Sequence, residues 1–198
     1  MCKLTENSFR DVNIAFANEL SIICKELNID VWELIKLANC HPRVNILNPG
    51  PGVGGHCIAV DPWFIVNASP QKAKLIKQAR IINDGKPHWV IEQIMNEAKN
   101  FTKPVIACLG ASFKADIDDL RESPALKIIN SLQNKNIGKI LTVEPNILFS
   151  ENLELVELNQ ALELANIIVI LVDHKEFKNL NKNMFSNKIT IDTRGILK

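Results

Sequence analysis

A helical half followed by a Rossmann-like α/β half is the fold class this sequence predicts, and three observations predict it. Apolar residues recur every three or four positions through most of the first half. The second half holds short runs rich in β-branched residues, and helical stretches separate those runs. Strands that alternate with helices build a parallel sheet covered on both faces. The texture changes at Thr102–Pro104, so a helical domain is expected over residues 1–101 and an α/β domain over 102–198.

Each element has its own warrant. From Cys2 to Leu27 the residues Phe9, Val12, Phe16, Leu20, Ile23 and Leu27 fall on one stripe of an amphipathic helix. Lys3, Asn7 and Arg10 follow the same spacing on the roughly opposite face. Asp30 can cap a second short helix, Val31–Asn39. Periodicity vanishes in HPRVNILNPGPGVGGHCIAVDP (41–62), which carries four of the eight glycines and four of the nine prolines. Its apolar Val44, Ile46, Leu47 and Val53 predict an ordered, functional loop rather than a disordered one. Helical pattern resumes over Pro62–Ala68, Gln71–Asn83 and Lys86–Lys99, with a break expected at Gly85. Val105–Leu109, Ile140–Val143, Ile167–Val172 and Ile189–Ile191 read as buried strands, with helices around Pro124–Asn134 and Leu158–Ala165.

Composition narrows the function. The chain has 198 residues, 46% apolar, enough to bury a core without a disulfide or metal staple. A net charge of +1 gives no electrostatic case for nucleic acid or an anionic membrane. The longest apolar run, Ile167–Val172, is too short to span a bilayer. Lys3, Glu6, Arg10 and Asp11 interrupt the stretch a signal peptide would need. Five cysteines without CxxC spacing fit a reducing compartment, so a cytoplasmic protein is expected, with no metal site.

Chemistry concentrates in the long loop. Gly-Pro-Gly-Val-Gly-Gly (50–55) follows coil and precedes no Gly-Lys-Ser/Thr, which excludes a phosphate loop. It is either a structural turn or a backbone that a ligand approaches closely. Cys57 leaves that turn with His56 beside it and Asp61 one helical turn on; it is a candidate nucleophile or an inert buried thiol. Lys3, Asn7 and Arg10 make a functional face or a solvated one, and His41 and Arg43 an anion site or turn caps. Lys114 and Arg121 flank ADIDDL beyond the strand Val105–Leu109, where ligands bind in open α/β sheets. They suit a diphosphate, or pair with Asp116, Asp118 and Asp119. Arg194 follows the last strand at the same kind of edge. His88 and His174 show no partners at ligand spacing.

KLTENSFRDVNIAFANEL (3–20), HPRVNILNPGPGVGGHCIAVDPWFIV (41–66), SFKADIDDLRESPA (112–125) and DTRG (192–195) together resemble the UDP-glucose/GDP-mannose dehydrogenase family. Within it, GGHCIAVDPW resembles the UDP-N-acetyl-D-mannosamine branch; UDP-glucose enzymes carry Lys where this chain has Val60. The resemblance implies two successive NAD-dependent oxidations at C6 of a UDP-sugar. Cys57 would attack the aldehyde intermediate and form a thioester that water cleaves. Lys3 would steady the oxyanion, Asn7 would hold that oxygen or a water, and Asp61 would manage protons. Arg10, His41, Arg43, the Gly54 backbone, Phe113, Lys114 and Arg194 would contact the nucleotide sugar, His41 and Arg43 from a neighbouring subunit. Arg121 would reach the NAD.

The family begins with a complete NAD-binding Rossmann domain, to which nothing here corresponds. No GxGxxG follows a strand, and Leu109-Gly110-Ala111 is the nearest approach. The implied assignment is therefore the helical dimerisation domain and UDP-binding domain of such an enzyme. It would homodimerise through the helical part, take a UDP-sugar, and depend for NAD on a separately encoded half. A non-catalytic UDP-sugar-binding or dimerisation module, and the inactive remnant of a split gene, stay open beside it.

Overall fold

The computed structural model describes residues 1–198, the side chain of Lys182 excepted. Contacts divide the chain into two compact units, Met1–Lys86 with Lys198, and Pro87–Leu197.

The first unit contains α1 (Cys2–Glu26), α2 (Val31–Ala38), α3 (Asp61–Ala68) and the first half of α4 (Lys74–Ala98). Asp30 caps α2 by accepting from the Trp32 and Glu33 amides. The periodicity of α1 is that of a helix, but its packing is inverted. The buried residues are small or polar: Asn7, Ser8, Asp11, Ala15, Ala17, Asn18 and Cys24. The apolar stripe instead meets solvent, with Phe9 69% exposed, Phe16 50%, Ile23 43% and Leu27 62%. Small side chains let helices approach closely, and polar ones are tolerated only where they find partners. They do here. Arg80 of α4 donates to Asp11 Oδ1 at 2.6 Å, Asn83 Nδ2 to the same oxygen at 2.8 Å, and Asn18 Nδ2 to Asn83 Oδ1 at 2.8 Å.

The break expected at Gly85 does not occur. α4 runs unbroken from Lys74 to Ala98, through Gly85 and Pro87. Pro87 has no amide to give Asn83 C=O, which would cost an isolated helix about 3 kcal/mol. Buried residues on both sides outweigh that: Arg80, Asn83 and Lys86 before it, and Val90, Ile91 and Ile94 after it.

In the second unit, β1 (Val105–Leu109), β2 (Lys139–Val143), β3 (Ile167–Ile170) and β4 (Ile189–Asp192) form a parallel sheet in the order β2-β1-β3-β4. Ile106 lies opposite Ile140 on one side and Ile167 on the other, and Ile167 lies opposite Ile189. Strand alternation divides the core. Ile106, Cys108, Ile167 and Val169 pack with α5 (Pro124–Asn134) and the Val90–Ala98 end of α4. Ala107, Leu109, Ile168 and Ile170 pack with α6 (Leu158–Leu164), Phe177 of α7 (Lys175–Lys178) and Phe185 of a 3-10 turn. From β1 the chain steps outward to β2, then returns to the other side for β3. The crevice beyond the carboxyl ends of β1 and β3 is thus the topological switch point, where such sheets bind ligands.

No helix among the described residues is long and apolar enough to cross a membrane.

Candidate functional site

In the helical unit the site is assembled on α1 and the start of α3. Asn7 Nδ2 donates to Asp61 Oδ2 at 2.6 Å, and both residues are 9% exposed. Asp61 is the first residue of α3, followed by Pro62, which suits a helix start because its missing amide would be unpaired there anyway. The Asp61 amide donates to Cys57 C=O at 2.8 Å, so nucleophile candidate and carboxylate sit on one turn. Cys57 is exposed, unlike Cys24 and Cys108. Lys3 lies four residues before Asn7, the spacing that places side chains on one helix face, and is exposed. A thiol can add to a carbonyl carbon, and an amine, an amide and a carboxylate can each hold or exchange a proton with an oxygen.

The glycine loop is held by amides of α1. Asn18, fully buried, accepts from the Gly50 amide at 2.9 Å. Asn13 Oδ1 accepts from the Leu47 amide at 2.8 Å, and Asn39 pairs with both backbone groups of Ile46. Gly55 takes φ +82°, a left-handed conformation that a side chain would strain. Gly54 is not among the glycines with a left-handed φ. His41 and Arg43 are exposed in the turn after α2, where the Arg43 amide donates to His41 Nδ1 at 3.2 Å. The capping role thus exists for His41, and Arg43 is exposed. Arg10 is exposed on α1.

In the α/β unit, Phe113, Lys114 and Arg194 all follow strand ends. Phe113 and Lys114 occupy the loop after β1, half-buried and exposed respectively. Arg194 follows β4 and is fixed by Asp173, whose Oδ1 accepts from Nε at 2.9 Å and Nη2 at 2.7 Å. Burial opposes the Asp173 charge, but Arg194 and Lys178 outweigh it and hold the carboxyl down at about 2. Arg121 is 68% exposed and lies in a two-point grip on Asp119, with Nη2–Oδ2 at 2.6 Å.

Sequence reasoning missed the buried centre of this edge. Glu144, after β2, accepts from the amides of Ala111 at 2.7 Å and Ser112 at 3.0 Å, and lies 3.2 Å from His174 Nε2. Burial disfavours its charge, yet the His174 hydrogen bond and the two amides together keep the carboxyl below its ordinary value. The one available signal was Glu in the Val-Glu-Pro that ends a buried strand, where a charge needs a partner.

The same contacts occupy the turn after β1. The turn Gly110–Ser112 follows a strand as a dinucleotide loop does, but the Glu144 carboxylate already takes the Ala111 and Ser112 amides that would face a pyrophosphate. Gly110, at φ +93°, is needed because a Cβ there would stand 2.3 Å from Val172 Cβ. The described residues of this unit do not build a dinucleotide site at that turn.

The central-domain profile of the UDP-glucose/GDP-mannose dehydrogenase family matches residues 1–85, and its UDP binding domain profile matches 107–198. A UDP-N-acetyl-D-mannosamine dehydrogenase of Campylobacter jejuni is 61% identical over 184 residues, 89% of this chain and 45% of that protein. An NDP-N-acetyl-D-galactosaminuronic acid dehydrogenase of Ralstonia solanacearum is 58% identical over 99% of this chain and 47% of its own length. The crystallised UDP-N-acetyl-mannosamine dehydrogenase of Staphylococcus aureus superposes on the whole chain with TM-score 0.85 at 41% identity, through 46% of its own chain. The chain spans about half the length of the curated relatives it matches. It belongs to the UDP-glucose/GDP-mannose dehydrogenase family.

Proposed function

We propose that these residues are the C-terminal portion of a UDP-N-acetyl-D-mannosamine 6-dehydrogenase, which oxidises the C6 alcohol of the sugar to a carboxylate in two NAD-dependent steps. The observation that carries the reading is the Asn7–Asp61 contact at the turn that begins with Cys57. It joins a buried amide and carboxylate to an exposed thiol, in a family of dehydrogenases. Cys57 adds to the aldehyde carbon; Lys3 stabilises the oxygen that becomes negative; Asn7 orients that oxygen or the hydrolytic water; Asp61 accepts and returns the proton. Phe113, Lys114 and Arg194 grip the uridine diphosphate, with Arg10, His41, Arg43 and the Gly54 backbone as further sugar-nucleotide contacts. NAD supplies the hydride acceptor, and Arg121 is the residue of this chain that reaches it. The 1–101 portion is the catalytic and dimerisation domain and 102–198 the UDP-binding domain.

The exposed stripe of α1 supports homodimerisation. Phe9, Phe16 and Ile23 recur at intervals of seven and leave an apolar seam that a second α1 would cover. Phe16→Glu is expected to convert a dimer to a monomer in sedimentation velocity.

The sugar is the part most open to test, because the relatives named for mannosamine and galactosamine derivatives are similarly identical. The 198-residue polypeptide alone is expected to reduce little NAD with UDP-N-acetyl-D-mannosamine. Mixed with the separately expressed NAD-binding domain of a relative, it is expected to yield NADH and the sugar carboxylate, and Cys57→Ser to abolish the carboxylate. Robust NADH production by the polypeptide alone, or carboxylate formation that survives Cys57→Ser, would contradict the assignment.

A further inference from the structure

We propose that His174, through its contacts to the backbone of the loop after β1, is a positioning residue that sets the shape in which Phe113 and Lys114 meet the nucleotide. The inference rests on the reading of Phe113 and Lys114 as nucleotide contacts, and it adds a residue that the reaction chemistry does not name. His174 is fully buried at the start of α7. Its Nδ1 accepts from the Asp116 amide at 2.9 Å, and Asn146 Nδ2 lies 3.1 Å from the same nitrogen. With Nδ1 an acceptor, Nε2 carries the proton and points it at Glu144, 3.2 Å away. Glu144 in turn takes the Ala111 and Ser112 amides.

The loop is thereby clamped at both ends by one imidazole–carboxylate pair, Ala111–Ser112 at one end and Asp116 at the other. Asp116 has φ +61°, an uncommon conformation for a residue with a side chain. It is held on both sides, its amide by His174 and its Oδ1 by the Lys175 amide at 3.0 Å. Ser112 Oγ donates to Lys114 C=O at 2.8 Å, and the Phe113 amide to Asp119 C=O at 3.1 Å, which close the interior of the loop. The left-handed Asp116 and the buried Glu144 hold the loop on either side of the two candidate contacts. A buried histidine with ligand-type neighbours also invites a metal reading, since Asp116, His174 and Glu176 bring donor atoms within 4.8 Å of one another. The Nδ1 lone pair is already committed to the Asp116 amide, so the cluster serves the loop.

Two near-isosteric substitutions separate the halves of the imidazole. His174→Asn keeps an acceptor near Nδ1, and His174→Gln keeps a donor near Nε2. Titration of the 198-residue chain with UDP by calorimetry is expected to show His174→Ala weakened about tenfold or more. His174→Asn, which retains the Asp116 bond, should lie closer to the unaltered chain than His174→Gln. Amide hydrogen exchange over 112–117 should rise in the same order. Should His174→Ala fail to fold, the Asn and Gln pair supplies the comparison. UDP affinity unchanged from that of the unaltered chain in all three variants, with Lys114→Ala impaired, would overturn this inference and leave the nucleotide reading standing. No UDP binding by the unaltered chain would overturn that reading and this inference with it.

Discussion

Replacing Arg80 by methionine examines the inverted packing on which the helical site depends. Arg80 is 1% exposed and Asp11 0%, and the pair is joined at 2.6 Å. Methionine keeps most of the volume but removes the guanidinium, so the Asp11 carboxylate keeps only the Asn83 amide. Breaking a buried ion pair from one side costs about 3–5 kcal/mol, because the remaining charge is uncompensated. Arg80 also bonds Asp84, but that carboxylate is 51% exposed and returns to water at little cost. The expected loss is therefore about 3–5 kcal/mol, or a fall of about 6–20 °C in Tm for a chain of this size. Burial already raises the Asp11 carboxyl above its ordinary value despite Arg80. A carboxyl with a raised folded value binds its proton more tightly when folded, so it favours folding at low pH and loses that contribution as pH rises through the folded value. Removing Arg80 raises it further, so the deficit of the variant should shrink as the solution is acidified. Adding Asp11→Leu removes the stranded charge, while Asn83 still has the Asp11 carbonyl at 3.0 Å. The double variant should recover to within about 2 kcal/mol of the parent. Urea unfolding followed by circular dichroism measures all three. A single variant that loses less than about 1 kcal/mol, or a double variant as unstable as the sum, would refute the reasoning.

Other outcomes follow from the same contacts. Iodoacetamide at neutral pH should label Cys57 faster than Cys24 or Cys108, since both of those are buried and burial pushes the Cys108 thiol up to about 12; equal labelling of the three by mass spectrometry would count against a preformed nucleophile. Gly110→Ala combines φ +93° with a 2.3 Å approach to Val172 and should cost about 2–5 kcal/mol by thermal unfolding; a variant as stable as the parent would show that the β1 turn has room to move. Asp173 is held down to about 2, so its contribution is complete above its unfolded value near 3.8 and fades as pH falls toward 2. Allowing for solvent screening, Asp173→Asn should lose about 1–2 kcal/mol at pH 7 and flatten the stability profile between about pH 4 and 2.

Strands and their spacing were legible because each is a short apolar run bounded by polar turns, and β1 and α5 match their expected limits. Continuity through Gly85 and Pro87 was not, since local propensity there opposes a helix that buried residues on either side sustain. Periodicity identified α1 but could not say which face is covered. Hydrophobicity favours burying Phe9 and Phe16, and only the partners of Asp11 and Asn18, more than sixty residues away along the chain, reverse that. Cys57, Asn7 and Asp61 could be singled out by type and motif. His174 could not, and Glu144 only as a charge in need of a partner, because their roles exist only once three strand ends are brought together.

Protection of Cys57 by the nucleotide sugar tests the proposed chemistry most directly. The chain is alkylated with and without saturating UDP-N-acetyl-D-mannosamine, and each cysteine is followed by peptide mass. The account expects bound ligand to slow Cys57 about fivefold or more, while Cys2 and Cys40, also exposed, react as before. Unchanged labelling of Cys57, with the ligand bound by calorimetry, would contradict it.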